Sequence, residues 1–163
     1  MISNKSIINS SLEVGLRSLI ILNSIDPERI DIDRLVIYDY LVLHTEDVEK
    51  SYKSLHPSTP HRAGELLVRR QLLQEGINLM ESKGLLDRHF LDNGIFYSAN
   101  NLTGPFISYF ETEYASLLHK YAVFIKEKFH HFNFSDLKNY VMNNLDEWGG
   151  EFENESILRG DID

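Results

Sequence analysis

Cysteine is missing from all 163 residues, which excludes disulfides, thiolate nucleophiles and Cys-ligated zinc. Long apolar runs are missing too, and none approaches the roughly 18 residues that cross a bilayer. The opening "MISNKSIINSS" is too polar for a secretory signal. Neither G-x-x-x-x-G-K-S/T nor G-x-G-x-x-G occurs, so no phosphate loop is predicted, and no serine stands in a G-x-S-x-G setting. His-Glu-x-x-His is likewise absent. These absences predict a cytoplasmic protein that is not an enzyme, needs no cofactor and touches no membrane.

Basic side chains are also scarce. Sixteen Lys and Arg face 25 Asp and Glu, leaving a net charge of −9. A free-standing nucleic-acid binder ordinarily carries a basic footprint, so this balance argues against one. The deficit is uneven. Residues 61–101 carry 5 basic and 5 acidic side chains, whereas residues 102–163 carry 5 and 11. The neutral stretch leaves room for a small DNA-facing patch. An apolar fraction of 42% and a charged fraction of 25% match an ordinary globular chain long enough to bury a core.

Ser10 with Glu13 forms a capping-box pattern, and Leu12, Leu16, Leu19 and Ile20 then fall on one helical face. Asp26-Pro27 stops that helix. "ERIDI" reads as a short strand, and Asp31 or Asp33 can cap "RLVIYDYLVLH", a buried helix or, from its β-branched content, a strand. "TEDVEKSYKSLHPSTP" reads as an exposed loop. Thr59-Pro60 opens the next helix, with Leu66, Leu73, Ile77 and Met80 on one face. Gly64 and Gly76 weaken it, so a break near Arg70–Gln71 is open. Gly84 is the expected left-handed stop. Asp92-Asn93-Gly94 between two apolar runs is a hairpin signal, the strongest local one in the chain. Thr103-Gly104-Pro105 opens a long helix predicted to reach Phe129. Ser135 caps a last helix with Tyr140, Val141, Leu145 and Trp148, stopped by Gly149-Gly150.

Helix, short strand, helix, long helix, hairpin is the order of a winged helix-turn-helix. The predicted fold is mainly α (α+β): a winged-helix core over 10–101, two extra C-terminal helices over 102–150, and an acidic, disordered tail over 151–163.

Seven histidines invite a metal reading, but His56 and His61 around the proline loop and the adjacent His130-His131 lack zinc-helix spacing. Asp31/Asp33 and Glu111/Glu113 sit at helix starts, where the dipole favours anions. What remains is Arg62, Arg69 and Arg70, with Lys83 and Arg88 around the wing. Arg69 and Arg70 either face solvent, pairing with Glu65 and Glu75, or touch DNA phosphates or an acidic partner. With few base-reading side chains beyond Gln71, Gln74 and Asn78, DNA contact would be sequence-independent. The stripe Phe106, Phe110, Tyr114, Tyr121, Phe124 is expected to be core and a helical dimer or partner interface.

Across "SLEVGLRSLIILNSI" and "DIDRLVIYDYLVLHTEDV", and above all in "SLHPSTPHRAGELLVRR" with "DNGIFYSA", the chain resembles the middle component of bacterial ABC-three-component systems. The likeness is to the middle component 2 type of Lamassu-like defence operons and covers roughly residues 10–150. That resemblance implies a non-catalytic adaptor between an SMC/Rad50-like ABC ATPase and an effector, often a nuclease, in anti-phage or anti-plasmid defence. DNA would be met through the assembly. The competing reading is a stand-alone winged-helix transcription regulator, which should show a basic recognition face.

Overall fold

The backbone starts its first helix where the sequence provides a cap: the Ser10 hydroxyl accepts from the Glu13 amide at 3.2 Å, and α1 runs Ser11–Ile25. The computed structural model describes residues 10–56 and 62–144, without the side chains of 62–65 and 67. Helix α1 is buried on most of its circumference, but Leu12 is exposed, so the expected four-residue apolar face is shorter than its pattern. Only Ile30 of the expected "ERIDI" strand pairs, its N–H and C=O bonding Tyr97 at 3.0 and 2.8 Å. The chain then turns at once, because the Asp31 carboxylate accepts from the Arg34 amide at 2.9 Å and caps α2, Ile32–Leu43.

The segment expected to be an exposed loop begins instead with a short helix, α3, Thr45–Val48. Thr45 is buried, and its hydroxyl donates to the Val42 and Leu41 carbonyls at 2.8 and 3.1 Å, which prolongs the turn. Thr59-Pro60 and His61 lie outside the described residues. Helix α4, Arg62–Ser82, runs unbroken through Arg70 and Gln71. Leu66, Leu73, Ile77 and Met80 are all buried, as their spacing predicts. Gly76 does not break the helix because it is where α4 touches α1. A Cβ there would meet the Gly15 amide nitrogen at 2.6 Å.

After Gly84, in the left-handed region at φ 72°, strands β1, Asp87–Leu91, and β2, Gly94–Ser98, pair antiparallel. Leu91 opposes Gly94, whose φ of 137° closes the turn in a way a side chain would resist. The hairpin stands where the sequence places it. The fold is mainly α and winged-helix-like, with this two-stranded wing.

Beyond the wing the single long helix of the prediction is two. Helix α5, Thr103–Ile107, ends in a turn at Ser108 and Tyr109, and Thr112 caps α6, Glu113–Phe129, by accepting from the Ala115 amide at 3.1 Å. Helix α7, Phe134–Asn144, is started by Asn133, which accepts from the Asp136 amide at 2.8 Å, and not by Ser135. Three helices therefore follow the wing among the described residues. Their buried faces, including Leu118, Ile125, Phe129, Leu137 and Val141, join the core built by α1, α2 and α4. Leu145, Trp148, Gly149-Gly150 and the 151–163 tail lie outside the described residues.

Candidate interaction surface

Arg69 is 6% exposed, and its guanidinium meets the Asp39 carboxylate at 2.5 Å. The surface position expected for it is thereby corrected: it belongs to the core. Arg17, 1% exposed, binds the same carboxylate with two donors, Nε to Oδ1 at 2.9 Å and Nη2 to Oδ2 at 3.2 Å. One aspartate from α2 thus holds an arginine from α1 and another from α4. Glu13 adds a second anion, 3.3 Å from Arg17 Nη1.

Burial alone would raise the Asp39 carboxyl, but the charges of Arg17 and Arg69 and their hydrogen bonds outweigh it and hold it well below the usual range. Burial would lower Arg17, and Asp39 reverses that in the same way. Glu13 is shifted upward by burial, only partly offset by Arg17. His56 Nε2 lies 2.9 Å from the Tyr114 hydroxyl beside this layer. Burial first, then the positive charges of Arg17 and Arg69, push His56 down to about 4, while burial pushes Tyr114 up to about 12.

The signal for this layer was in the sequence. Asp39 stands alone in the apolar "LVIYDYLVL", as does Arg17 in "VGLRSLII". A charge inside a buried helix requires an opposite one.

The other cations are placed as follows. Arg70 is half-buried, with Nε 3.2 Å from Asp33, so it pairs across helices and not with Glu75. Arg88 reaches Glu81 at 2.6 Å and Asn78 at 2.8 Å, and its guanidinium lies over the Tyr97 ring. Lys83 is exposed at the end of α4. The Arg62 side chain lies outside the described residues. Between Val68 and Asn78 the outward face of α4 presents Val68, Gln71, Glu75 and Asn78, none of them a cation.

The wing presents something else. Phe90 is 75% exposed, and its cross-strand partner Ile95, together with Leu91, is also exposed. Three adjoining apolar side chains at a hairpin tip gain little from folding, and grouped exposure of this kind is a feature of interaction surfaces. The predicted aromatic stripe is divided. Tyr121 is core, its hydroxyl donating to the Lys53 carbonyl at 2.8 Å, whereas Phe106, Phe110 and Tyr114 are half-buried around the α5–α6 turn. Among the described residues no group of His, Asp and Glu is arranged to hold a metal, and no helix is long and apolar enough to cross a membrane.

A family model described as ABC-three component (ABC-3C) system Middle Component 2 matches residues 7–151. No curated protein and no solved structure matches the chain.

Proposed function

The chain belongs to the Middle Component 2 family of ABC-three component systems, and from that premise we propose that it is a non-catalytic adaptor. In this reading it joins an SMC/Rad50-like ABC ATPase to an effector, often a nuclease, in anti-phage or anti-plasmid defence of the Lamassu-like kind. The observation that supports it is the exposed apolar wing tip, Phe90, Leu91 and Ile95. A winged-helix protein reading DNA needs cations on its third helix and wing. Here Arg70 and Arg88 are engaged by Asp33 and Glu81, Glu75 faces outward, and exposed Lys83 is a single cation at the end of the helix. Such a surface suits a protein partner, with DNA bound elsewhere in the assembly and without sequence preference.

The test is reconstitution with the ATPase and effector encoded beside it. Phe90→Asp with Ile95→Asp should lower the affinity of the assembly at least tenfold while the melting temperature stays at the wild-type value. Assembly at unchanged affinity would overturn the wing's part in it. Sequence-specific, nanomolar DNA binding by the lone subunit at physiological salt would favour the transcription regulator instead.

A further inference from the structure

The turn that divides the expected long helix opens a groove. Two clefts of about 390 and 370 Å³ lie end to end between α1 on one side and α5, the turn and α6 on the other, sharing Ile20, Phe110 and Ala115. Along α1 the lining runs from Glu13 to Asn23, which at 1.5 Å per residue is about 15 Å, the length of a helix of about ten residues.

The two ends differ. At the first, Leu16, Ile20, Phe110 and Leu118 form apolar walls, with Glu13 and Glu111 among the lining and Tyr109 standing over it, 82% exposed. The one cation there, Arg17, is already held by Asp39 and Glu13. At the second end Gly104, Ser108, Ala115 and Ser116 make low stretches of wall between the larger Asn23, Ile107 and His119, and over those stretches a backbone can come close. Glu13 is weakly satisfied: Arg17 Nη1 at 3.3 Å and the Tyr114 hydroxyl at 3.5 Å both reach the same oxygen, Oε1. Glu111 is exposed, and neither cleft is lined by any other Lys or Arg.

We propose that this groove receives a helical segment of a partner subunit, apolar along one face and carrying a lysine or arginine that lies between Glu13 and Glu111. The apolar walls take the face, the low walls take the helix backbone, and the two carboxylates take the cation. A charge-assisted bond to a half-buried carboxylate is about twice as strong as a neutral one, so the acidic end fixes the direction in which the segment lies. The inference rests on the adaptor reading and supplies it with a second surface, built from elements other than the wing.

The experiment uses the full chain assembled with its ATPase and effector, with p-benzoylphenylalanine placed at Tyr109 or at Ser116. Light should join both positions to one partner segment, with the basic residue nearer 109 and small or apolar residues nearer 116. Glu111→Lys should weaken that assembly about tenfold without moving the melting temperature, and changing the partner's cross-linked Lys or Arg to Glu should restore it. Wild-type protein that assembles, yet cross-links to a second copy of itself, to an acidic segment or to nothing, overturns the groove and leaves the adaptor standing. Wild-type protein that forms no assembly overturns both.

Discussion

The centre of the molecule and the tip of its wing reverse the usual distribution of side chains. At the centre, two arginines and an aspartate are sealed from solvent between α1, α2 and α4. At the tip, Phe90, Leu91 and Ile95 are given to solvent. Neither arrangement is what hydrophobic burial alone would select, and they differ in what sustains them. The buried charges complete one another within the chain and fix how three helices meet. The exposed apolar residues find no covering partner among the described residues, and the proposed adaptor role supplies one from outside.

The widest separation between the two regions should come from Asp39→Ala. That change removes the buried carboxylate that two buried guanidinium groups share, and removing one partner of a buried pair costs about 3–5 kcal/mol. Urea unfolding of Asp39→Ala should therefore show loss of much or all of the folded state. The Phe90→Asp, Ile95→Asp protein should unfold within about 0.5 kcal/mol of wild type, as surface substitutions do. Equal stability of the two variants would erase the distinction.

The next effect comes from the α1–α4 crossing that brings Arg17 and Arg69 to one carboxylate. Gly76→Ala places a methyl 2.6 Å from the Gly15 nitrogen and 2.7 Å from the Ser11 carbonyl, and backbone cannot give way as a side chain does. Overpacking of this kind costs about 1–3 kcal/mol, even though alanine is the better helix former. A Gly76→Ala protein that melts higher than wild type would show that the helices can separate freely there.

The last effect is silent at neutral pH and emerges only in acid. Burial first, then the positive charges of Arg17 and Arg69 and the neighbouring His44, push His56 down to about 4 in the folded chain against 6.5 free, with Asp39 opposing and Tyr114 facing it. The unfolded imidazole takes its proton as pH falls through 6.5, while the folded one stays neutral. The contribution to stability is therefore complete above pH 6.5 and is lost progressively toward pH 4. Glu13, shifted upward by burial, works in the opposite sense and blunts the loss. Asp39 stays ionised across this window. The melting temperature should fall between pH 6.5 and 4, and His56→Gln should flatten the decline. A decline equally steep in that variant would assign it to other groups.

What the sequence disclosed followed the range of the physics. The hairpin was legible because Asn93-Gly94 solves a local problem in two residues, and the core face of α4 because Leu66, Leu73, Ile77 and Met80 repeat within one helix. The break at 108–112 was not legible. Thr112 is one of several possible caps, and it prevails only once α6 is packed on α1 and α2. Arg69 was misplaced for the same reason. Its partner lies 30 residues earlier on another helix, and no local pattern joins them, although the isolated Asp39 asked for a cation. The groove was invisible because it is made by that unforeseen break.

The wing has a practical consequence for the cell. Among the described residues nothing pairs with the outer edge of β1, which carries exposed Phe90 and Leu91, and an open edge with apolar side chains is a template for further strands. A surplus of this subunit would tend to find copies of itself, restrained chiefly by the mutual repulsion of its −9 charge. If that edge recruits further strands, overproduction of the chain alone should give concentration-dependent self-association that Phe90→Asp with Ile95→Asp abolishes.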